Sequence, residues 1–260
     1  AFLTHKLRWR LFEHSFNNQY LWSEIYATHS RVLEFMIVYF DFSEKKLIEL
    51  LDKSESKQIQ PYDREKLLSF IEGNLDKIKI TDNSAWHKLR DTLSHHRSYP
   101  DAQWALPEQQ LKRYEVIYKK LEPSDPVERL IWMFNEHWPG FPEGLDRKEL
   151  SIRDQEKLML ERRVEGLKAI YAKFGFEKVK ELVGIVKETW IYGDVLAYIV
   201  EEEEEILSLC SFLKEDDIPV QNFIQRFIFR KSVNNGLDWV FDLFQKLKSS
   251  EYSAGQLSKL

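Results

Sequence analysis

His87, Asp91 and His95 stand at positions i, i+4 and i+8, so a helix through them puts all three on one face. Imidazole and carboxylate are the ligand types of divalent metals and the working groups of acid–base catalysis. Distance argues against a shared site. Eight residues at a rise of about 1.5 Å each separate the two histidines by about 12 Å. Either neighbouring pair would need further ligands from elsewhere, and no His-Glu-x-x-His pattern brings a base with them. His96 falls on the apolar stripe of Trp86, Leu89 and Leu93. We therefore expect no metal and no cofactor. His87, Asp91 and His95 remain a weak alternative metal set and, with His96, the material for an alternative reading as a helical enzyme.

Other chemistry is scarcer still. No Gly-rich phosphate loop, Walker A motif or Gly-x-Ser-x-Gly elbow occurs. The only cysteine, Cys210, excludes an internal disulfide and a Cys-rich zinc cluster. Its apolar neighbours Ile206, Leu207, Leu209 and Phe212 predict a buried, inert thiol. Basic clusters such as Lys6-Arg8-Arg10 and Arg226-Arg230-Lys231 are short and offset by acids.

Recognition is better represented. His95 to Trp104 reads as a helix end entering a polar, aromatic loop, and Trp138-Pro139-Gly140-Phe141-Pro142 is a second such loop. Tyr99, Trp104, Trp138 and Phe141 are therefore interaction candidates, since exposed aromatics anchor interfaces. The alternative for each is a ring tucked beneath its own helices. Glu201 to Glu205 is a run of five acids. Consecutive residues advance about 100° around a helix, so five cover every side. If one helix runs through from Ile199 to Cys210, Glu202 or Glu203 faces inward and needs a basic partner; otherwise the helix breaks. Both are interaction candidates.

The elements carrying these residues are helices. Period 3.6 recurs in segment after segment: Leu3, Leu7 and Leu11; Leu47, Leu50 and Leu51 after the N-cap Ser43; Leu67, Phe70, Ile71 and Leu75 within 61–78. Trp86, Leu89 and Leu93 follow the candidate cap Ser84, and Leu111, Tyr114, Ile117 and Leu121 follow Pro107. Asp125-Pro126-Val127-Glu128 combines an acidic cap, a proline at the first helical position and a capping-box Glu. Later stripes run through Leu160 to Phe174, stopped by Gly175, then through Val179 to Val186 and Tyr192 to Ile199. Val220 to Ile228 is stopped by Asn234-Asn235-Gly236, and Leu237 to Leu247 follows. Val32 to Phe40, the most apolar stretch, is broken by Glu34 and too short to span a bilayer; it reads as a buried core helix. Ser253 begins a further helix with Leu257 and Leu260 as its first apolar pair.

Composition agrees. Among 260 residues, 43% are hydrophobic and 14% aromatic, which supports a packed core rather than disorder. Nine Gly and eight Pro are too few for a turn-rich sandwich or barrel. A net charge of −5 disfavours a phosphate backbone as partner.

The predicted fold is all-α: stacked antiparallel helix pairs in an irregular α-solenoid, HEAT- or TPR-like in spacing at roughly 35 to 45 residues per pair, or alternatively an irregular helical bundle. No signature of one repeat family is present. The breaker 138–144 divides an N-terminal sub-bundle, 1–140, from a C-terminal helical-pair array, 150–260. That array is expected to continue beyond the chain, since its closing helix stops before it could bury a face. An initial Ala in place of Met points to processing or excision from a longer chain. The expected role is a helical-repeat protein–protein interaction scaffold, cytoplasmic and a segment of a larger multidomain protein. The expected partner is another protein or another domain of the same polypeptide, not a membrane or nucleic acid. A nucleic-acid-sensing or regulatory arm of a larger assembly is the further alternative.

Overall fold

A computed structural model describes residues 30–56, 59–144, 150–249 and 252–258. The Leu3–Leu7–Leu11 stripe, the Lys6-Arg8-Arg10 cluster and Leu260 lie outside the described residues. Among the described residues the secondary structure is helical, apart from one isolated bridge between Ser43 and Lys79. These residues form two compact units. One comprises those up to 89 with 101–121; the other comprises 90–100 with those from 122 onward. The turn-rich stretch 138–144 lies within the second unit.

The first unit contains helix α1 (30–38), α2 (Glu44–Glu55), α3 (Pro61–Asn74), the opening residues of α4 (Ser84–Ser98) and α5 (Glu108–Lys120). Ser43 caps α2 by accepting from the Lys46 N–H. Leu47, Leu50, Leu51, Leu67, Leu68, Ile71, Leu111, Tyr114 and Ile117 are buried, as the stripes require. Polar groups join these helices at fixed points. The Tyr114 hydroxyl donates to Ser54 Oγ at 2.7 Å, and Ser54 donates to the Leu51 carbonyl. The buried Arg64 donates to the Ser54 and Ser56 carbonyls and to Gln110 Oε1. The start of α4 differs from expectation. Ser84 is its first residue rather than its cap, and the Glu44 carboxylate serves that end from 41 residues away, accepting from the Ala85 N–H at 2.9 Å. The same carboxylate takes the Thr81 and Asp82 N–H groups and the Thr81 hydroxyl. Val32 to Phe40 is corrected as well. Only Leu33 and Phe40 are buried, while Phe35, Val38 and Tyr39 are each more than 60% exposed. A dense apolar run therefore keeps an outward face here.

The second unit holds the remainder of α4, then α6 (Pro126–Ile131), α7 (Ile152–Phe174), α8 (Phe176–Glu181), α9 (Thr189–Leu196), α10 (Glu203–Cys210), α11 (Ile218–Asn235), α12 (Leu237–Lys248) and α13 (Ala254–Leu257). Single-turn 3₁₀ segments extend α6 and α8. Asp125 caps α6 as its sequence predicts, and Gly175 and Gly236 end α7 and α11 with positive φ. Ser253 and Gln256 make a reciprocal capping box on α13. One core gathers Phe134, Leu167, Ile170, Val179, Tyr192, Val195, Leu209, Cys210, Phe223 and Phe227. Helices α9 and α11 approach closely at Gly193. A Cβ built there would stand 2.3 Å from the Phe223 carbonyl oxygen, so only a missing side chain permits the contact. Cys210 is fully buried and burial pushes its thiol up to about 12, the inert state expected of it. Among the described residues, no helix is long and apolar enough to cross a membrane.

Candidate functional site

The residues singled out by sequence are dispersed. On α4, His87 packs edge-on against Trp86, Asp91 pairs with its neighbour Arg90 at 2.6 Å, and the exposed His95 lies against Tyr99. His96 is buried. Among the described residues no three His, Cys, Asp or Glu side chains are grouped to hold a metal. Tyr99 is exposed and Trp104 half-buried. Phe141 is tucked in, its ring centroid 5.3 Å from that of Trp132, because Arg97 donates to the Pro142 carbonyl and draws the loop onto the end of α4.

The glutamate run resolves as a break. Residues 197–202 leave the helix, and Glu202 becomes the N-cap position of α10. Glu201 to Glu204 all face water, which removes any need to bury one of them. Glu203, Glu204 and Glu205 occupy the first turn, where the helix dipole favours negative charge. Glu203 pairs with Lys246 at 2.6 Å, and Glu205 accepts from the Tyr171 hydroxyl at 2.8 Å.

One loop candidate does join a larger arrangement. Trp138 is 41% exposed and lies edge-on to His137, whose ring stacks on Trp190 at 5.3 Å. Trp190 lies in the first turn of α9, Asp194 follows one turn later, and Tyr198 stands in the turn just past the helix end. Facing them on α11 are Arg226, Phe229 and Arg230. Arg230 Nε donates to Asp194 Oδ1 at 3.0 Å, and its Nη2 lies 3.0 Å from Oδ2. That is a two-pronged engagement of one carboxylate. Arg226 Nε lies 2.9 Å from the same Oδ1, yet its alignment makes no hydrogen bond and the buried N–H lacks an acceptor. Rings surround both cations. The Arg226 guanidinium sits 5.0 Å from Phe229 and 5.7 Å from Trp190, and Arg230 sits 5.6 Å from Tyr198.

The surface rests on a rigid base. The buried Arg163 of α7 donates to the carbonyls of Met133, Glu136 and His137, fixing the segment that carries His137 and Trp138. Burial lowers its pKa to about 10, against the opposing charges of Asp194 and Glu188. Glu188 accepts from the Trp190 indole N–H at 2.7 Å and so fixes that ring. Gly193 holds α9 against α11 and keeps Asp194 within reach of both arginines. Beyond Tyr198 the surface continues into a shallow groove of about 420 Å³, floored by Leu160 and Val164 and edged by Glu161, Glu165 and Lys168.

No protein-family model, curated protein or solved structure matches this chain. The chemistry of the surface must be read from its own residues. Tryptophan, tyrosine and arginine, the residue types enriched at protein interfaces, are gathered here and held by partners behind them. In the sequence Arg226 and Arg230 stand out only as a short basic cluster. The usable signal was a pair of matching stripes, Trp190–Asp194–Tyr198 and Arg226–Arg230, each at a spacing of four.

Proposed function

We propose that this chain is a protein–protein interaction scaffold of stacked helix pairs, a segment of a larger multidomain protein, and that its second unit docks a partner through the α9–α11 face. The observation that carries this reading is the pairing of two arginines with one carboxylate among half-exposed rings. A purely structural ion pair has no use for a second arginine lacking a hydrogen-bond acceptor, nor for Phe229 at 52% exposure beside it. Arginines held by a carboxylate and by ring faces are pre-ordered, which lowers the entropy lost on binding. Val233, one turn beyond Phe229, extends the apolar margin.

The reading is tested by affinity purification of cross-linked complexes from the source cells, comparing wild type with Phe229→Ser/Arg226→Gln. Phe229 is exposed and Arg226 half-buried, and unchanged circular dichroism and melting would confirm an intact fold. A reproducible protein partner lost in the variant is expected. An identical set of captured proteins would overturn the assignment of the face, and nucleic acid recovered in a salt-dependent manner would favour the regulatory-arm alternative.

A further inference from the structure

We infer that the partner segment is an acidic peptide whose carboxylate is received by Arg226, with an apolar side chain seated in the adjoining groove. This rests on the reading of the α9–α11 face as a protein interface. Charge is the first argument. Arg226 and Arg230 both pair with the single carboxylate of Asp194, so two cations meet one anion there and one positive charge is left over, while the groove beyond carries Glu161, Glu165 and Lys168. Hydrogen bonding locates that surplus. Arg230 takes both oxygens of Asp194, and Arg163 is committed to three backbone carbonyls. Arg226 alone has an ion-pair contact without a hydrogen bond, and its side chain retains 36% of its exposure.

With Nε buried against Asp194, it is the two Nη groups of the planar fork that can give parallel N–H bonds to the two oxygens of a carboxylate. Trp190 and Phe229 flank the cation and limit access to a small anion on a flexible stem, such as a glutamate or aspartate side chain. One unbalanced charge suits one carboxylate, and the chain's net charge of −5 opposes a polyanion. The groove supplies the second anchor. It meets the arginine pair at Tyr198, which both lines the groove and lies over Arg230. Leu160 and Val164 offer an apolar floor there to a residue following the acid.

The test is selection of displayed short peptides on the immobilised full chain, with the winners re-measured by fluorescence polarisation on purified protein. Recovered peptides are expected to share an aspartate or glutamate next to a large apolar residue. They should bind Arg226→Gln about tenfold more weakly or worse, the loss of one charge-assisted contact, while Lys187→Gln binds normally. Arg226→Lys, which keeps the charge and loses the fork, should fall between, with melting temperatures confirming that both variants fold. Peptides that lack an acid yet lose binding in Phe229→Ser would overturn the carboxylate assignment and leave the docking face standing. Peptides indifferent to Arg226, Phe229 and Val164 substitutions, or no enriched peptide, would overturn both.

Discussion

Glu44 shows how much one side chain can hold. Burial alone would raise its pKa, but the N–H groups of Thr81, Ala85 and Asp82 and the Thr81 hydroxyl outweigh burial, and the carboxyl is held below its ordinary value of 4.5. A depressed carboxylate stabilises the fold fully above its unfolded pKa, and that contribution is lost as pH falls through the lower folded value. Glu44→Gln should cost about 1 to 3 kcal/mol at neutral pH, because an amide offers one acceptor oxygen where donors approach two. The gap between wild type and variant should narrow as pH falls below the ordinary value of 4.5 and close only once pH has passed the lower folded value, where the wild-type carboxyl is protonated as well. Urea unfolding at pH 7 and at a series of lower pH values, followed by helical circular dichroism, measures both effects. Equal sensitivity to acid in the two proteins would mean that the carboxylate does not hold α4. At this scale the sequence was informative only about neighbours. Ser43, Asp125 and Ser253 cap their own helices and were legible from the next three residues. Glu44 caps a helix 41 residues on, and no local pattern encodes that.

Helices were legible where an apolar stripe met a local stop signal, as in α7 before Gly175 and α11 before Gly236. They were illegible where packing decided. The stripe from Tyr192 to Cys210 leaves open one helix or a break, and the cost of burying a glutamate divides it into α9 and α10. The face formed by α9 and α11 is hidden in the sequence for a related reason. Its halves lie about thirty residues apart and become one surface only through the α9–α11 contact, which depends on a glycine that periodicity treats as a blank. Gly193→Ala should therefore destabilise by about 1 to 3 kcal/mol, since its methyl group would press on the Phe223 carbonyl and Phe227 N–H, which are backbone and cannot rotate away. Gly73→Ala near the end of α3 meets nothing within 4 Å and should be neutral or stabilising by up to about 1 kcal/mol. Thermal melts of the two variants give the comparison. A smaller loss at Gly193 than at Gly73 would show that α9 and α11 can separate cheaply.

For the whole molecule, stacking of helix pairs is the arrangement proposed for the two units. A compact globule of 260 residues has a radius of gyration of about 18 Å, whereas an array in which each pair touches only its neighbours exceeds that, at about 20 Å or more. Small-angle scattering on the monomer decides it, and a value of about 18 Å would replace the array with a closed bundle. The all-helical class was legible because the stripes are long and the turn residues few; the stacking was not, because it depends on which faces meet. Cys210 has a consequence at this scale as well. The only sulfur nucleophile in the chain sits at zero exposure in the core of the second unit, so a thiol reagent reaches it only when that unit opens. Labelling therefore keeps time for that unit, and with reagent in excess its rate reads the opening frequency of the second unit.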